Sequence, residues 1–335
     1  MIKKAAVLGS GSWGTALAEV LAPNAETVSL WGRNLAVCNQ INDTHMNSVF
    51  LPNLPLKSNI KGTLDLEEAL HGATLVVNGL PTKAIKSVFS ALAKKIPENC
   101  PVVNSSKGLC AETLTMPTDI LRVALQRKNK SHIYILSGPS FASETVKHQA
   151  TAVTFAGSDL KDAEKVGGYF FNSWFRTYPS TDLIGVEVAG AFKNIIAIAA
   201  GMAEGLGLGF NTQSALITRG LAEITRFGLT LGADPMTFLG LAGMGDLVLT
   251  CTGSLSRNRT LGKTLAQGKT LQEAQLSLGQ VAEGVYTTES VHALVKGRGL
   301  DLPIASEVYN ILFKNKKVAQ ALNDLMSRPM RSEVP

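Results

Sequence analysis

Lys3-Lys4-Ala5-Ala6-Val7-Leu8-Gly9-Ser10-Gly11-Ser12-Trp13-Gly14-Thr15-Ala16-Leu17-Ala18-Glu19-Val20-Leu21 is the stretch on which the fold turns. A short apolar run comes first, then G-x-G-x-x-G at Gly9–Gly14, then a helix-length segment. Glycines spaced in this way say little alone. Set between a first strand and a helix, they are a fingerprint for a dinucleotide. Gly9 serves a tight turn, Gly11 lets the backbone approach a pyrophosphate, and Gly14 lets helix and strand pack closely. The helix start supplies free N–H groups and the positive end of a dipole. The next strand ends Ser29-Leu30-Trp31-Gly32-Arg33. An NAD-preferring site carries Asp or Glu there, whereas an arginine suits a 2′-phosphate. Arg33 therefore favours NADPH as the cofactor and tolerates NADH.

Outward from this stretch, short apolar runs alternate with helical ones. Strands are predicted at Lys4–Gly9, Thr27–Trp31, Thr74–Asn78, Val102–Ser105, His132–Leu136, Thr151–Phe155 and Phe175–Tyr178. Helices are predicted at Trp13–Leu21, Leu66–Leu70, Lys83–Lys95, Thr118–Gln126 and Lys161–Phe171. Such alternation, with β-branched apolar strands, predicts a parallel sheet covered on both faces. After Pro179 the pattern becomes almost wholly helical, broken at Gly205–Gly209, Gly232–Pro235, Gly243–Gly245 and Gly297–Pro303. The expected fold is α/β: a Rossmann-like, doubly wound sheet domain over residues 1–179 and an all-helical domain over 180–335.

The chain has 335 residues, enough for about two domains. Lys and Arg number 32 against 26 Asp and Glu, a net charge of +6, and only 17% of residues are charged. That excludes an acidic disordered chain. No basic stripe is present, so nucleic acid is not an expected partner. The N-terminal apolar run stops at Gly9, too early for a signal peptide. No integral membrane segment is expected, because the most apolar run, Leu183–Ala200, contains Glu187 and Lys193. Cys38, Cys100, Cys110 and Cys251 lack C-x-x-C spacing and read as reduced thiols of a cytoplasmic protein. His45, His71, His132, His148 and His292 show no metal spacing, and no metal is expected.

Leu183–Ala200 is apolar nearly all round, which marks a buried helix. At about 100° per residue, Glu187, Gly190, Lys193 and Asn194 share about one third of its circumference. A buried lysine is either paired or lowered in pKa, and an amine so lowered is a ready proton donor to a carbonyl oxygen. A structural ion pair is the alternative account of Lys193. Gly190 is expected to leave room for another molecule beside it. Lys107, in Asn104-Ser105-Ser106-Lys107-Gly108, follows a strand at the carboxyl edge where doubly wound sheets bind ligands. Ser137-Gly138-Pro139-Ser140-Phe141-Ala142 is a second loop at that edge. Thr250-Cys251-Thr252-Gly253-Ser254-Leu255-Ser256-Arg257-Asn258-Arg259 combines hydroxyls, arginines and an asparagine before a helix, which suits a phosphate. A capped, solvent-exposed helix start is the plainer account of it. Asp246, in Gly243-Met244-Gly245-Asp246, places a carboxylate in apolar surroundings where it can orient Lys193 or a substrate hydroxyl.

Gly9–Gly14 with Trp13, Asn104–Leu109, Leu136–Glu144, Glu187–Asn194, Leu241–Thr250 and Arg257–Asn258 together resemble bacterial NAD(P)-dependent glycerol-3-phosphate dehydrogenase. The similarity runs from about Lys4 to about Lys317. It implies a Rossmann domain followed by a helical one. It also implies reversible hydride transfer between NADPH or NADH and dihydroxyacetone phosphate, giving sn-glycerol 3-phosphate for phospholipid synthesis, in a homodimer. By the same resemblance Lys193 is the general acid/base, Lys107 meets substrate and cofactor, and Asp246 supports both lysines and a substrate hydroxyl. Gly138 and Ser140 touch the substrate, while Ser256, Arg257 and Asn258 hold its phosphate, with Thr250 behind them. Gly9, Gly11, Ser12, Trp13, Gly14, Arg33, Phe50, Ala142, Arg257, Val281 and Glu283 border the cofactor. Three positions depart from the family pattern. Phe50 stands where many members have Tyr or His, Asn53 where Gly is common, and Cys110 where an acidic residue is frequent. Two other readings are a β-hydroxyacid or 6-phosphogluconate-type dehydrogenase, marked by decarboxylation of its substrate, and an NADPH sensor without turnover.

Overall fold

The structure, a computed structural model, describes residues 1–110, 115–279, 282–296, 299–330 and 332–333. Among the described residues ten strands form, in chain order: β1 (Ile2–Leu8), β2 (Ala25–Trp31), β3 (Met46–Asn47), β4 (Leu51–Pro55), β5 (Ile60–Thr63), β6 (Leu75–Asn78), β7 (Val102–Asn104), β8 (Ile133–Ser137), β9 (Thr151–Ala156) and β10 (Phe175–Ser180). Eight of them make one sheet, in the order β10-β9-β8-β7-β6-β1-β2-β5, and β3 and β4 make a separate ribbon. In β1, Ala5 and Val7 enter one core while Ala6 and Leu8 enter the other, as the two-residue period of a strand covered on both sides requires.

The helices are α1 (Ser12–Leu21), α2 (Leu35–Thr44), α3 (Leu66–Leu70), α4 (Thr82–Ala91), α5 (Pro117–Ala124), α6 (Ala142–Val146) and α7 (Leu160–Gly167) in the sheet half. The second half holds α8 (Leu183–Gly205), α9 (Phe210–Leu229), α10 (Pro235–Leu239), α11 (Asp246–Thr252), α12 (Arg257–Ala266), α13 (Leu271–Leu278), α14 (Glu283–Val295), α15 (Pro303–Lys314) and α16 (Val318–Met326). α1, α2 and α7 bury apolar side chains on one face of the sheet. α3, α4 and α5 cover the other.

The sheet differs from expectation in one respect. β9 pairs antiparallel with β8, and β10 parallel with β9, so the last two strands run against the rest. A parallel return needs a crossover of a dozen or more residues lying on the sheet. Here the intervening helix, α6, has only five residues and packs on α1 instead. β3, β4, β5 and α2 were not foreseen. β4 contains Pro52 and Pro55, which conceal a strand in a sequence, and β5 is a four-residue edge. Lys83–Lys95 was expected as one helix; α4 ends at Ala91. The expected break at Gly243–Gly245 is instead a π-helical stretch, Leu241–Gly245, that runs straight into α11. The expected break at Gly297–Pro303 begins on residues outside those described.

β10 closes at Ser180 and α8 opens at Leu183. α8 packs against α9, α11, α12, α14 and α15, so it is the axis of the helical half. By length and hydropathy it is apolar enough to cross a membrane, yet 89% of its most apolar window is buried inside the protein. The reason lies in its small residues. A Cβ on Gly201 would sit 1.9 Å from the Arg259 carbonyl oxygen, and one on Gly262 would sit 1.9 Å from that of Ile198. α8 and α12 therefore cross backbone against backbone.

Candidate active site

A cleft of about 1890 Å³ opens along the carboxyl edge of the sheet and continues to the helical half. At one end is the glycine loop. Gly9 has φ +121°, and an added Cβ would meet the Gly79 carbonyl oxygen at 2.7 Å. A Cβ on Gly14 would come within 1.8 Å of the Gly9 carbonyl oxygen, so Gly14 lies under the loop rather than against the cleft. Gly11 differs: nothing lies within 4 Å of its Cβ position. No side chain caps the start of α1, so its first N–H groups face the cleft uncapped. Trp13 Nε1 is buried without a partner among the described residues. An open backbone position, uncapped amides and an orphaned donor fit a dinucleotide pyrophosphate and its riboses. Ser12, Arg33, Phe50 and Ala142 line the same end.

The β3–β4 ribbon holds this loop from below. Asn47, fully buried, donates to the Ser10 carbonyl (3.0 Å) and to Thr15 Oγ1 (2.8 Å). Ser12 Oγ donates to the Phe50 carbonyl at 3.0 Å. Sequence reasoning missed Asn47, because the ribbon carrying it was not foreseen.

At the other end three charged side chains from distant parts of the chain meet. Lys193 Nζ on α8 donates to Asp246 Oδ1 (2.7 Å) and to Thr250 Oγ1 (2.5 Å). Lys107 Nζ donates to Asp246 Oδ2 (2.6 Å) and to the Gly138 carbonyl (3.4 Å). Asp246 is thus clamped between two ammonium groups. Its own burial pushes its pKa up, but the two cations outweigh that and hold the carboxyl below its usual range. Burial lowers Lys193 to about 8 against the attraction of Asp246, with Lys107 adding repulsion. The ion pair and the lowered pKa, open alternatives in the sequence, are both present.

Gly190 requires a correction. The space over it is filled by Ser137 Oγ, 3.0 Å from an added Cβ, and by the stem of Lys107 at 3.6 Å. Gly190 lets Lys107 lie across α8 toward Asp246. Lys107 is fixed in turn by a buried amide network not foreseen in the sequence. Asn78 donates to Asn104 Oδ1 and Ser106 Oγ, both at 2.8 Å, and Ser106 Oγ donates to the Leu80 carbonyl.

The start of α12 borders the cleft beside this cluster. Ser256 caps it, accepting from Arg259 N at 3.3 Å. Arg257 lines the cleft, whereas Arg259 pairs with Glu204 of α8 at 2.7 Å. Asn258 donates to Asn194 Oδ1 (2.9 Å) and accepts from Gly284 N (3.0 Å), leaving one amide hydrogen uncommitted among the described residues. Thr250 accepts from Lys193 and donates to the Asp246 carbonyl, which commits its hydroxyl. Glu283 lines the cleft nearby, its carboxyl pushed up to about 7 by burial against the attraction of Arg257. Ser140 lines the cleft; Gly138 does not, and meets the site only through its carbonyl. Val281 lies outside the described residues. Glu187, on the expected polar third of α8, faces the sheet half instead: its carboxylate accepts from Thr118 N (2.8 Å) and Thr118 Oγ1 (2.6 Å). Burial pushes that carboxyl up to about 7 against those two bonds.

A cleft with a dinucleotide loop at one end and a cationic amine pair beside a helix start at the other belongs to a nicotinamide-dependent oxidoreductase. Residues 4–163 match the NAD-dependent glycerol-3-phosphate dehydrogenase N-terminus, and residues 182–323 match the C-terminus of that family. The chain is 44% identical over 333 residues to glycerol-3-phosphate dehydrogenase [NAD(P)+] of Geobacter sp. (strain M21), covering 99% of each chain. It is 46% identical over 331 residues to the Myxococcus xanthus (strain DK1622) protein of the same name, again covering 99% of each. The crystal structure of glycerol-3-phosphate dehydrogenase from Coxiella burnetii superposes with a TM-score of 0.91 at 36% identity, covering 98% of this chain and 99% of that one. The chain belongs to the NAD(P)-dependent glycerol-3-phosphate dehydrogenase family.

Proposed function

We propose that this chain interconverts dihydroxyacetone phosphate and sn-glycerol 3-phosphate, with Lys193 as the general acid/base. The single observation that carries this reading is the Lys193–Asp246–Lys107 cluster, placed in one cleft with the glycine loop and the start of α12. A nicotinamide cofactor, when bound, supplies the hydride for the ketone carbon. Gly9, Gly11, Ser12, Trp13 and Phe50 hold its dinucleotide, with Ala142, Arg257 and Glu283 on the other wall, and Arg33 favours the 2′-phosphate of NADPH over NADH. Arg257, Ser256 and the remaining amide hydrogen of Asn258 hold the substrate phosphate at the helix start. Ser140 borders the substrate from the β8 loop. Lys193 and Lys107 face the C2 oxygen as negative charge develops on it, and Lys193 gives it a proton. Asp246 keeps both amines aimed and gains from each a bond that survives burial. Thr250 orients Lys193 from behind.

We place the division into domains at residues 179 and 180, beside the end of β10 at Ser180. We place the protein in the cytoplasm, a reading supported by four free cysteines. Its product supplies phospholipid synthesis. Assembly as a homodimer through the helical half is supported by Leu229, Met236 and Leu239, which are exposed where α9 leads into α10.

An assay at 340 nm with NADPH and dihydroxyacetone phosphate tests the reaction. Oxidation of NADPH with sn-glycerol 3-phosphate as product is expected, faster than with NADH. Turnover only on a hydroxyacid, with loss of carbon dioxide, would replace this reading with the 6-phosphogluconate-type reaction. Arg257→Ala is expected to raise the KM for dihydroxyacetone phosphate about tenfold or more. An unchanged KM would remove Arg257 from the phosphate site.

A further inference from the structure

Inside the glycine loop, the Ser10 carbonyl is held from the side away from the cleft. Asn47 Nδ2 donates to it at 3.0 Å and Thr15 Oγ1 at 3.3 Å, and neither Asn47 nor Thr15 borders the cleft. Asn47 Nδ2 also donates to Thr15 Oγ1 at 2.8 Å. Both of its targets need a donor. One is a carbonyl, and the other is a hydroxyl whose own proton goes to that carbonyl. An amide nitrogen supplies both hydrogens. The amide oxygen, Asn47 Oδ1, is buried with no partner among the described residues. Asn47 is therefore placed for its two hydrogens, and turning the amide over would set oxygen against oxygen twice.

The Ser10–Gly11 peptide is trans. In a planar trans peptide the C=O and the N–H point in opposite directions. A carbonyl held inward thus sends the Gly11 N–H toward the cleft. There it meets no acceptor among the described residues, and the space beside Gly11 is open. We propose that Asn47 is a positioning residue for the cofactor: by holding the Ser10 carbonyl it aims the Gly11 N–H at the pyrophosphate of the dinucleotide. The dependence is direct. Among the described residues only Asn47 and Thr15 donate to that carbonyl, and Asn47 orients the Thr15 hydroxyl as well. Without the amide, the peptide plane loses its main restraint. The ribbon stays in place, because Ser12 Oγ still donates to the Phe50 carbonyl at 3.0 Å and Phe50 N to the Asn47 carbonyl at 3.2 Å.

This inference rests on the proposed seat of the dinucleotide along the glycine loop, and Gly11→Ala tests that seat separately. The test measures binding of NADPH and of NADH by calorimetry, without substrate, to the wild type, Asn47→Leu, Thr15→Val and Gly11→Ala. Asn47→Leu keeps the volume and loses both hydrogens. Its Kd for NADPH is expected to rise about tenfold, the worth of one hydrogen bond to a charged group. NADH should weaken by the same factor, because the pyrophosphate is common to both. In turnover the loss should sit in the KM for NADPH, with kcat at saturating NADPH and the KM for dihydroxyacetone phosphate within about twofold of wild type. A residue that only stabilises the fold would lower the melting temperature and leave both Kd values alone. Thr15→Val keeps the direct bond to Ser10 and should weaken binding less. An unchanged Kd in a folded Asn47→Leu protein overturns the proposal. So does a loss confined to NADPH, which places the effect at Arg33. Normal binding by Gly11→Ala removes the seat and the proposal with it. Weak binding by Gly11→Ala beside normal binding by Asn47→Leu removes the proposal alone. Should Asn47→Leu not fold, Asn47→Ala takes its place under the same criterion. If neither folds, Thr15→Val decides, and an unchanged Kd there overturns the proposal.

Discussion

The two ends of the cleft are built from opposite materials. The glycine end is backbone, compressed into six consecutive residues whose value lies in atoms they lack. The chemical end is charge, gathered from Lys107, Lys193 and Asp246, with 139 positions between the first and the last. The first is damaged by adding a methyl group and the second by removing a proton-bearing one. Mutations at the two ends should therefore fail in different ways.

The largest contrast comes from Lys193→Ala. It should lower kcat by roughly 10²-fold or more while NADPH still binds. A variant with near-normal kcat would break the comparison at its chemical end. Next come two glycines three residues apart. Gly14→Ala drives a Cβ to within 1.8 Å of the Gly9 carbonyl and should lower the melting temperature and abolish NADPH binding together. Gly11 has ordinary extended backbone and open space around it, so Gly11→Ala should melt normally yet bind NADPH weakly. Equal melting temperatures for the two variants would show that the loop is not read correctly.

Changes of pH sharpen the contrast further, since Lys193 titrates near neutrality and none of the six residues of the glycine loop carries a titrating side chain. Lys193, lowered to about 8 by burial against the pull of Asp246, donates a proton only while charged. Reduction of the ketone should fall about tenfold per unit above about pH 8. Oxidation of the alcohol needs the neutral amine and should rise through the same range. Profiles of the same sign in both directions would exclude Lys193 as the titrating group. The smallest effect is expected from Arg33→Ala, a few-fold drop in preference for NADPH over NADH, read from the two KM values. An unchanged preference would place the 2′-phosphate elsewhere.

The same contrast decided what the sequence could reveal. The glycine loop is local, so six residues and their flanking periodicities were enough to place it. Lys193 was visible because a lysine in an otherwise apolar helix is an anomaly. Asp246 stood out as a carboxylate in apolar surroundings that can orient Lys193, whereas the bond from Lys193 to Thr250 and the pairing of Glu187 with Thr118 are facts of tertiary packing across 57 and 69 positions. Gly190 misled for that reason: its missing side chain makes room for Lys107, a neighbour supplied by another strand. The β3–β4 ribbon escaped because its prolines suppress a strand signal, and the reversal of β9 escaped because strand direction is not written in periodicity.

The crossing of α8 over α12 has one more consequence. With Arg259 and Ile198 carbonyls lying where Gly201 and Gly262 would carry side chains, the two helices can neither close nor slide without a backbone collision. Lys193 rides on one helix and Arg257 begins the other. With Lys193 as the proposed proton donor and Arg257 as the proposed phosphate anchor, the interval between them is a gauge cut in main chain. A phosphorylated ketone one carbon longer, seated by its phosphate, would carry its carbonyl past the amine. On those proposed roles, chain length is measured before any chemistry begins.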